Sequence, residues 1–111
     1  MNVEFTPAFI ENVRRVAEVD HCDGLWITIK KVGCNGYAYD YKPYFALSIE
    51  HRMAYIFEVS EKVFVAIDPK ISEILEGSKF DYVREGLNFK TKVLNPHIKG
   101  TCGCGESFNL A

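Results

Sequence analysis

The sequence lacks any apolar run of the roughly 18–20 residues that a membrane-spanning helix needs. The opening stretch MNVEFTPAFIENVRR contains two glutamates and no continuous apolar segment, unlike a secretory signal or an Arg-rich transit peptide. With 13 basic and 15 acidic side chains, the chain also lacks the positive surplus that phosphate binding requires. The sequence therefore predicts a cytoplasmic protein that binds neither membrane nor nucleic acid.

Repeats, low-complexity segments and linkers are also lacking, so the 111 residues are expected to form a single domain over 1–111. A chain of this length buries roughly 65% of its extended surface, which is enough for one modest core. The three histidines, His21, His51 and His97, are scattered without nucleophile–base spacing. The sequence thus predicts a protein that is not an enzyme.

What is present is a clear order of secondary-structure signals. Thr6 is a typical N-cap and Pro7 suits a first helical position, so a helix is predicted over 7–19. Asp68, followed by proline, predicts a second and shorter helix that stops at Gly77. Runs rich in β-branched and aromatic residues predict strands at 25–32, 37–45, 53–59, 63–68, 80–84 and 87–93.

This order predicts a β-rich α+β domain on an antiparallel or mixed sheet, without fixing which strands pair. Pro43 is expected near the end of a strand or at a sheet edge. The tyrosines of the second strand form either a packed sheet face or a contact surface, and packing is the preferred interpretation. These tyrosines are Tyr37, Tyr39, Tyr41 and Tyr44.

Cysteines are few, but two of them lie one residue apart in the C-terminal stretch GTCGCGESF. Two thiolates on one metal need their sulfur atoms within about 4 Å, whereas residues i and i+2 of a strand are roughly 6.6 Å apart. Gly103, between Cys102 and Cys104, allows the backbone to bend and close this gap. We expect a flexible cysteine-bearing tail over about 99–111 that binds a thiophilic metal.

A third ligand is needed, and Cys34 is the best candidate because it also lies on a glycine-flanked loop, GCNG at 33–36. Cys22, in HCDG at the start of a strand, is interpreted as a structural cysteine. All four thiols are expected to be free, since nothing in the sequence indicates an oxidising compartment.

Three segments together resemble the A-type iron–sulfur cluster carriers, the HesB-like or IscA/SufA-like family. They are GCNG, IDPKISEILEGSKFDYV and NPHIKGTCGCGESF. The resemblance implies a compact sandwich of antiparallel or mixed strands with an N-terminal helix and a short mid-chain helix. It places the family's three ligands on Cys34, Cys102 and Cys104, with iron or a [2Fe–2S] or [4Fe–4S] cluster as cofactor. It also implies homodimers or tetramers that receive clusters from scaffold proteins and transfer them to apo-proteins.

Two departures from the family pattern stand out. Asn35 replaces the serine that usually follows the first cysteine, and His97 replaces the second asparagine of the family's NPN. His97 is interpreted as a solvated turn residue. Because clusters are normally held by four thiolates, the three in one chain predict a cluster at a subunit interface. Glu106 is either an extra ligand or an exposed tail charge.

Alternative functions use the same thiols. An iron donor to cluster assembly cannot be separated from a cluster carrier by sequence. A thiol oxidoreductase cycling Cys102 and Cys104 is disfavoured, since redox motifs usually have two intervening residues. A structural zinc domain would need four tight ligands and would unfold on chelation.

Overall fold

The computed structural model describes residues 1–32, 36–51 and 53–96, without the side chains of Val32 and Glu50. Within these ranges the chain forms seven strands and two α-helices, with short 3₁₀ segments at Ile49–His51 and Pro69–Ile71. In chain order the elements are β1 (Glu4–Phe5), α1 (Pro7–Val19), β2 (Gly24–Val32), β3 (Gly36–Tyr44), β4 (Tyr55–Ser60), β5 (Val63–Ile67), α2 (Ser72–Leu75), β6 (Lys79–Glu85) and β7 (Asn88–Leu94).

Helix α1 begins where the sequence predicts. The Thr6 hydroxyl oxygen accepts a hydrogen bond from the Phe9 N–H at 3.2 Å, which satisfies one of the free donors of the first turn. The same hydroxyl donates to the Asp81 carboxylate at 2.6 Å, so this cap also ties the helix to β6. Phe9 and Val13 are fully buried on the inner face of the helix.

The predicted mid-chain helix is also present. The Asp68 carboxylate accepts a hydrogen bond from the Lys70 N–H at 3.0 Å, and the chain runs through one 3₁₀ turn into α2. The helix ends before Gly77, as expected, and Ile71 and Leu75 are buried in the core.

The strands form two sheets, and this division is what the sequence does not show. One sheet has the order β1-β6-β7, with β1 parallel and β7 antiparallel to β6. The other has the order β3-β2-β5-β4, and its central pair β2–β5 is parallel while both outer pairs are antiparallel. The predicted β-rich α+β class with mixed sheets is confirmed.

The core lies between α1, α2 and the inner faces of both sheets. Each side chain fully buried there contributes about 1.5–3 kcal/mol to stability relative to an exposed position. Its buried members are Phe9, Val13, Leu25, Ile27, Val65, Ile67, Ile71, Leu75 and Phe80.

A smaller apolar cluster covers the outer face of the four-stranded sheet, where the connection 45–54 crosses from the β3 edge to the β4 edge. His51 anchors this connection to the sheet. Its ring stacks on Trp26 at 4.3 Å and on Tyr44 at 5.4 Å, and its Nδ1 accepts a hydrogen bond from the Phe45 N–H. Among the described residues, no helix is long and apolar enough to cross a membrane.

Candidate metal centre

The β2–β3 hairpin flanks the first predicted ligand, Cys34, which itself lies outside the described residues. The two strands stay paired along their whole length, up to the pair Val32–Gly36, so Cys34 belongs to the short connection between these two residues. Covalent geometry keeps its Cα within about 7 Å of the Cα of Gly36. As predicted, β3 is an edge strand and Pro43 lies next to its last residue.

Asn95 and Pro96 follow β7 and are the last described residues before the cysteine-bearing segment. The side-chain amide of Asn95 donates two hydrogen bonds from its Nδ2 atom, one to the Ile74 carbonyl at 2.8 Å and one to the Tyr39 hydroxyl at 3.1 Å. Ile74 lies in the last turn of α2, where carbonyl groups have no partner within the helix. Asn95 therefore joins the start of the C-terminal segment to α2 and to the hairpin that carries Cys34.

Three of the four tyrosines of β3 pack against apolar clusters, although not all on one face of the sheet. Tyr39 and Tyr41 lie against the main core with ring centroids 6.5 Å apart, and Tyr44 belongs to the outer cluster. Burial raises the pKa of Tyr39, partly offset by the hydrogen bond from Asn95. Burial, and to a lesser extent the neighbouring Tyr39, raises the pKa of Tyr41. Both phenols are therefore protonated at neutral pH.

None of the predicted ligands lies in the described ranges. Cys34, Cys102, Cys104 and Glu106 are outside them, as are His97 and the predicted tail at about 99–111. In the part of the chain that is described, no three histidine, cysteine, aspartate or glutamate side chains are grouped so that they could hold a metal ion.

Cys22 has the surroundings of a structural thiol. It is half-buried, and its Sγ lies 3.2 Å from the Gly24 carbonyl oxygen and 3.8 Å from that of Val16. In both contacts the thiol donates a hydrogen bond to a backbone carbonyl oxygen of its own chain. The geometry agrees with the predicted structural role of Cys22.

Charge near the Cys34 turn is positive on the described strand. Lys30 and Lys31 are exposed and directly precede Val32, the last residue of β2. They pair with Ala38 and Tyr37 of β3. Cationic side chains stabilise nearby thiolates and anionic metal complexes, although the effect is screened by salt at exposed positions. This end of the hairpin is therefore electrostatically suited to an anionic centre.

Sequence reasoning missed the contact between Asn95 and Tyr39. From the sequence, Asn95 is only the first residue of the Asn-Pro-His variant of a family motif, and Tyr39 is only one of four tyrosines in a predicted strand. The available signal was positional: Asn95 precedes a proline directly after a strand, and a residue before proline is restricted to extended backbone. Its partner on β3 depends on tertiary packing and has no sequence signature.

Comparisons with known proteins show which family the chain is related to. The iron-binding protein IscA of Klebsiella pneumoniae is 40% identical over 87 residues, which cover 78% of each chain. The corresponding protein of Proteus mirabilis is 37% identical over 111 residues, covering 99% of this chain and 100% of the relative. No protein-family model matches the chain.

The chain belongs to the A-type iron–sulfur carrier family. The crystal structure of IscA with the [2Fe–2S] cluster has the same fold, with a TM-score of 0.80, 25% identity and 99% coverage of both chains. The family's fold, which the resemblance implies, is thereby confirmed. The match with the Proteus relative also extends over the positions of all three predicted ligand cysteines.

Proposed function

We propose that the chain is an iron–sulfur cluster carrier that binds a [2Fe–2S] or [4Fe–4S] cluster as cargo and transfers it to apo-proteins without catalysing a reaction. The observation that carries this proposal is the relationship over the full length to iron-binding IscA proteins. The fold shared with an IscA crystallised with a [2Fe–2S] cluster supports it. We further propose that 1–111 forms one domain that acts in the cytoplasm, between scaffold proteins and recipient apo-proteins.

Cys34, Cys102 and Cys104 are the proposed ligands of this cargo. Chain length supports this set, because Cys102 is seven positions after Asn95, which corresponds to up to about 24 Å when extended. Tyr39, which Asn95 contacts, is five positions after Cys34, which corresponds to at most about 17 Å. The tail is thus long enough to reach the hairpin turn of its own chain.

A fourth ligand comes from a second subunit or from the Glu106 carboxylate. Three thiolates leave one position of the usual four open, and an incomplete or oxygen-completed shell exchanges its cargo faster. Transfer then proceeds by substitution, in which thiolates of the recipient replace the tail cysteines one at a time. Because thiolates are the ligating species, binding releases protons and weakens as pH falls.

Self-association is supported by an exposed apolar surface. Large apolar side chains lie exposed on the connection 45–54 and on the first residues of β4, and Leu47 is 99% exposed. We call these residues the outer apolar surface: Phe45, Leu47, Ile49, Met53 and Ile56. Clusters of exposed apolar side chains mark interaction sites on soluble domains, and we propose a second copy of this chain as the occupant.

This surface lies on the half of the sheet away from Cys34. Gly36 and Tyr44, at the two ends of β3, are eight residues apart, which corresponds to about 27 Å along the strand. Contact through the outer apolar surface therefore leaves the cysteine ends free. A second contact through a shared cluster would convert such dimers into tetramers, in agreement with the expected homodimer or tetramer.

The test of the cargo is anaerobic purification followed by visible absorption and by assays of iron, sulfide and zinc. A coloured protein with matched iron and sulfide is the expected result. Serine substitutions at Cys34, Cys102 and Cys104 should each abolish loading, while Cys22→Ser, the matched control, should keep it. A colourless zinc protein, or full loading of any of the three ligand variants, would overturn the proposal.

A test of self-association uses Leu47→Glu and Leu87→Glu. Both leucines are more than nine-tenths exposed, but Leu87 lies on the β6–β7 turn, outside the outer apolar surface. In the apo-protein, Leu47→Glu should reduce the mass measured by light scattering to that of a monomer, with an unchanged circular dichroism spectrum. Leu87→Glu should behave as the wild type; equal masses for both variants would rule out this surface.

An iron donor to cluster assembly is the second candidate, and the observation that favours it is the name iron-binding protein carried by the relatives. The same purification separates the two functions, because the donor would contain iron without sulfide.

A further inference from the structure

The structure assigns a role to Asn95: we infer that it is a positioning residue, which fixes the start of the cysteine-bearing tail beside the Cys34 hairpin. This inference rests on the proposed ligand set and deepens it. The residue itself binds no metal. It acts by fixing the position at which the segment leading to Cys102 and Cys104 begins.

Both protons of the Asn95 amide are used, and both partners are on elements other than its own. One proton goes to the Ile74 carbonyl of α2 and the other to the Tyr39 hydroxyl of β3. A carbonyl oxygen can only accept, so the amide nitrogen rather than its oxygen must face Ile74. Two directed hydrogen bonds from one nitrogen fix the orientation of the side chain.

The neighbouring backbone supports the same placement. Strand β7 ends with the pair Lys79–Leu94, and Pro96, which has no N–H, cannot continue the ladder. Pro96 packs close to the turn after α2, because a Cβ built on Gly77 would lie 3.4 Å from its Cγ atom. The chain thus leaves β7 at a junction of α2, β3 and β7.

Position matters here because it sets the effective concentration of the tail thiols at Cys34. That concentration falls as the connecting segment gains freedom. With Asn95 in place, the segment that leads to the tail cysteines begins next to Tyr39, on the strand that follows Cys34 in the chain. Without these two hydrogen bonds, the position of its start depends more on the end of β7 and on the packing of Pro96 near Gly77.

Cross-linking of the apo-protein tests this inference without any cargo. The full chain carries Cys22→Ser, so that only the three predicted ligand thiols react. A short bismaleimide is added anaerobically, and intrachain products between Cys34 and either tail cysteine are identified by peptide mapping. Gel electrophoresis separates them from products that join two chains.

Four variants are compared in this background. Asn95→Ala removes the amide, and Asn95→Asp keeps its shape but replaces the donor with an acceptor. We expect both to slow intrachain cross-linking by about three- to tenfold, the scale of one or two lost hydrogen bonds. Asn95→Gln keeps the donor and should restore part of the rate. Thr28→Val, the control, removes the hydrogen bond from Thr28 to Asp68, in which neither Asn95 nor its partners Ile74 and Tyr39 take part, and should cross-link at the wild-type rate.

The same variants are then loaded, and loss of cargo to a chelator is followed by visible absorption. Asn95→Ala and Asn95→Asp should lose cargo about three- to tenfold faster, with an unchanged absorption spectrum because the ligands are the same. Wild-type cross-linking rates for folded Asn95→Ala and Asn95→Asp would overturn the inference, as would equal slowing by Thr28→Val. If the wild type takes up neither iron nor cluster, the proposed function fails, while the cross-linking result still decides the role of Asn95.

Discussion

The two ends of the β2–β3 hairpin are built differently. At the end near Gly24 and Tyr44, the β2 residues Leu25–Ile27 and Tyr44 are buried, and the ring of His51 stacks on the outer face. At the end near Cys34, Lys30 and Lys31 are exposed, and the half-buried Tyr39 accepts a hydrogen bond from Asn95. The packing that stabilises the hairpin is therefore concentrated away from the predicted ligand.

This difference separates folding from cargo binding. Packing energy at the buried end holds the hairpin whether or not a cluster is present. The described residues at the end near Cys34 are half-buried or exposed, so ligand exchange there should disturb the core less than a change at the other end. Substitutions at the two ends should consequently affect different measurements, and the comparison can be tested on that basis.

The largest effect on stability is expected from Gly24→Ala. Gly24 has φ +150°, and a Cβ at this position would lie 1.7 Å from the Phe64 carbonyl oxygen, inside the β2–β5 pairing. The strands must separate to accept it, so we expect a loss of more than about 3 kcal/mol, measured by urea unfolding of the apo-protein. Gly86→Ala is the control, because Gly86 also has positive φ but has open space around it. It should cost only about 1–2 kcal/mol; equal losses would contradict the steric argument.

A smaller loss is expected from His51→Ala. The substitution removes a ring stacked on Trp26 and Tyr44 and leaves the Phe45 N–H without its acceptor. We expect a loss of about 2 kcal/mol from the cavity and the unpaired donor. Urea unfolding measures it, with the exposed His21 as control: His21→Asn, which tolerates the φ angle of 51° at this position, is expected to change stability by less than about 0.5 kcal/mol. If the two histidines prove equivalent, the connection 45–54 does not depend on His51.

A pH-dependent effect is expected at the N-terminus of α1, outside the hairpin. The Thr6 hydroxyl, and after it the Tyr82 N–H, lowers the pKa of the Asp81 carboxyl below its usual range. A lowered folded-state pKa stabilises the protein above the unfolded value, near 3.9, and this contribution is lost as pH falls through the folded pKa. The difference in thermal midpoint between wild type and Asp81→Asn should therefore be present at pH 7 and should disappear toward pH 2.

Glu61→Gln, on the exposed β4–β5 turn, serves as the control for this titration and should match the wild type at each pH. A difference between wild type and Asp81→Asn that stays constant through the acid range would mean that packing, rather than the charge on Asp81, accounts for it.

Local signals predicted much of the fold. Both helix starts follow from a capping side chain before a proline, at Thr6 and at Asp68, since the cap and the fixed φ angle act within one turn. The β6–β7 hairpin follows from Gly86, which adopts the positive φ angle that this turn needs. Such features depend on neighbours in sequence and can be inferred from it.

The remaining features depend on distant contacts. The parallel β2–β5 pair and the two-residue strand β1 exist only because other elements bring their partners close. The sequence gives His51 no role, and its function in packing follows only from the stacking of its ring on Trp26 and Tyr44. For the candidate site, the sequence predicts Cys34, Cys102 and Cys104 from loop chemistry and resemblance. It does not predict the partner of Asn95, because no local rule links the residue after β7 to Tyr39.

The smallest effect on the apo-protein is expected from Cys34→Ser, which tests the comparison most directly. In the sequence this residue lies between β2 and β3, beside the exposed Lys30 and Lys31. Its substitution should therefore change the free energy of unfolding of the apo-protein by less than about 0.5 kcal/mol. Loading with cargo should make the stabilities of the wild type and Cys34→Ser differ. Cargo at 100 times its dissociation constant stabilises the wild type by about 2.7 kcal/mol, and the variant should gain none of this.

Urea unfolding under anaerobic conditions, with and without cargo, measures both quantities, and Cys22→Ser is the control that should retain the stabilisation by cargo. If apo Cys34→Ser loses more than about 1 kcal/mol, the turn contributes to folding and the two ends of the hairpin are not distinct. If it loses nothing yet gains stability on loading, Cys34 is not a ligand. Only the combination of an unchanged apo-protein and absent stabilisation by cargo agrees with a hairpin whose buried end folds the chain and whose other end binds the cluster.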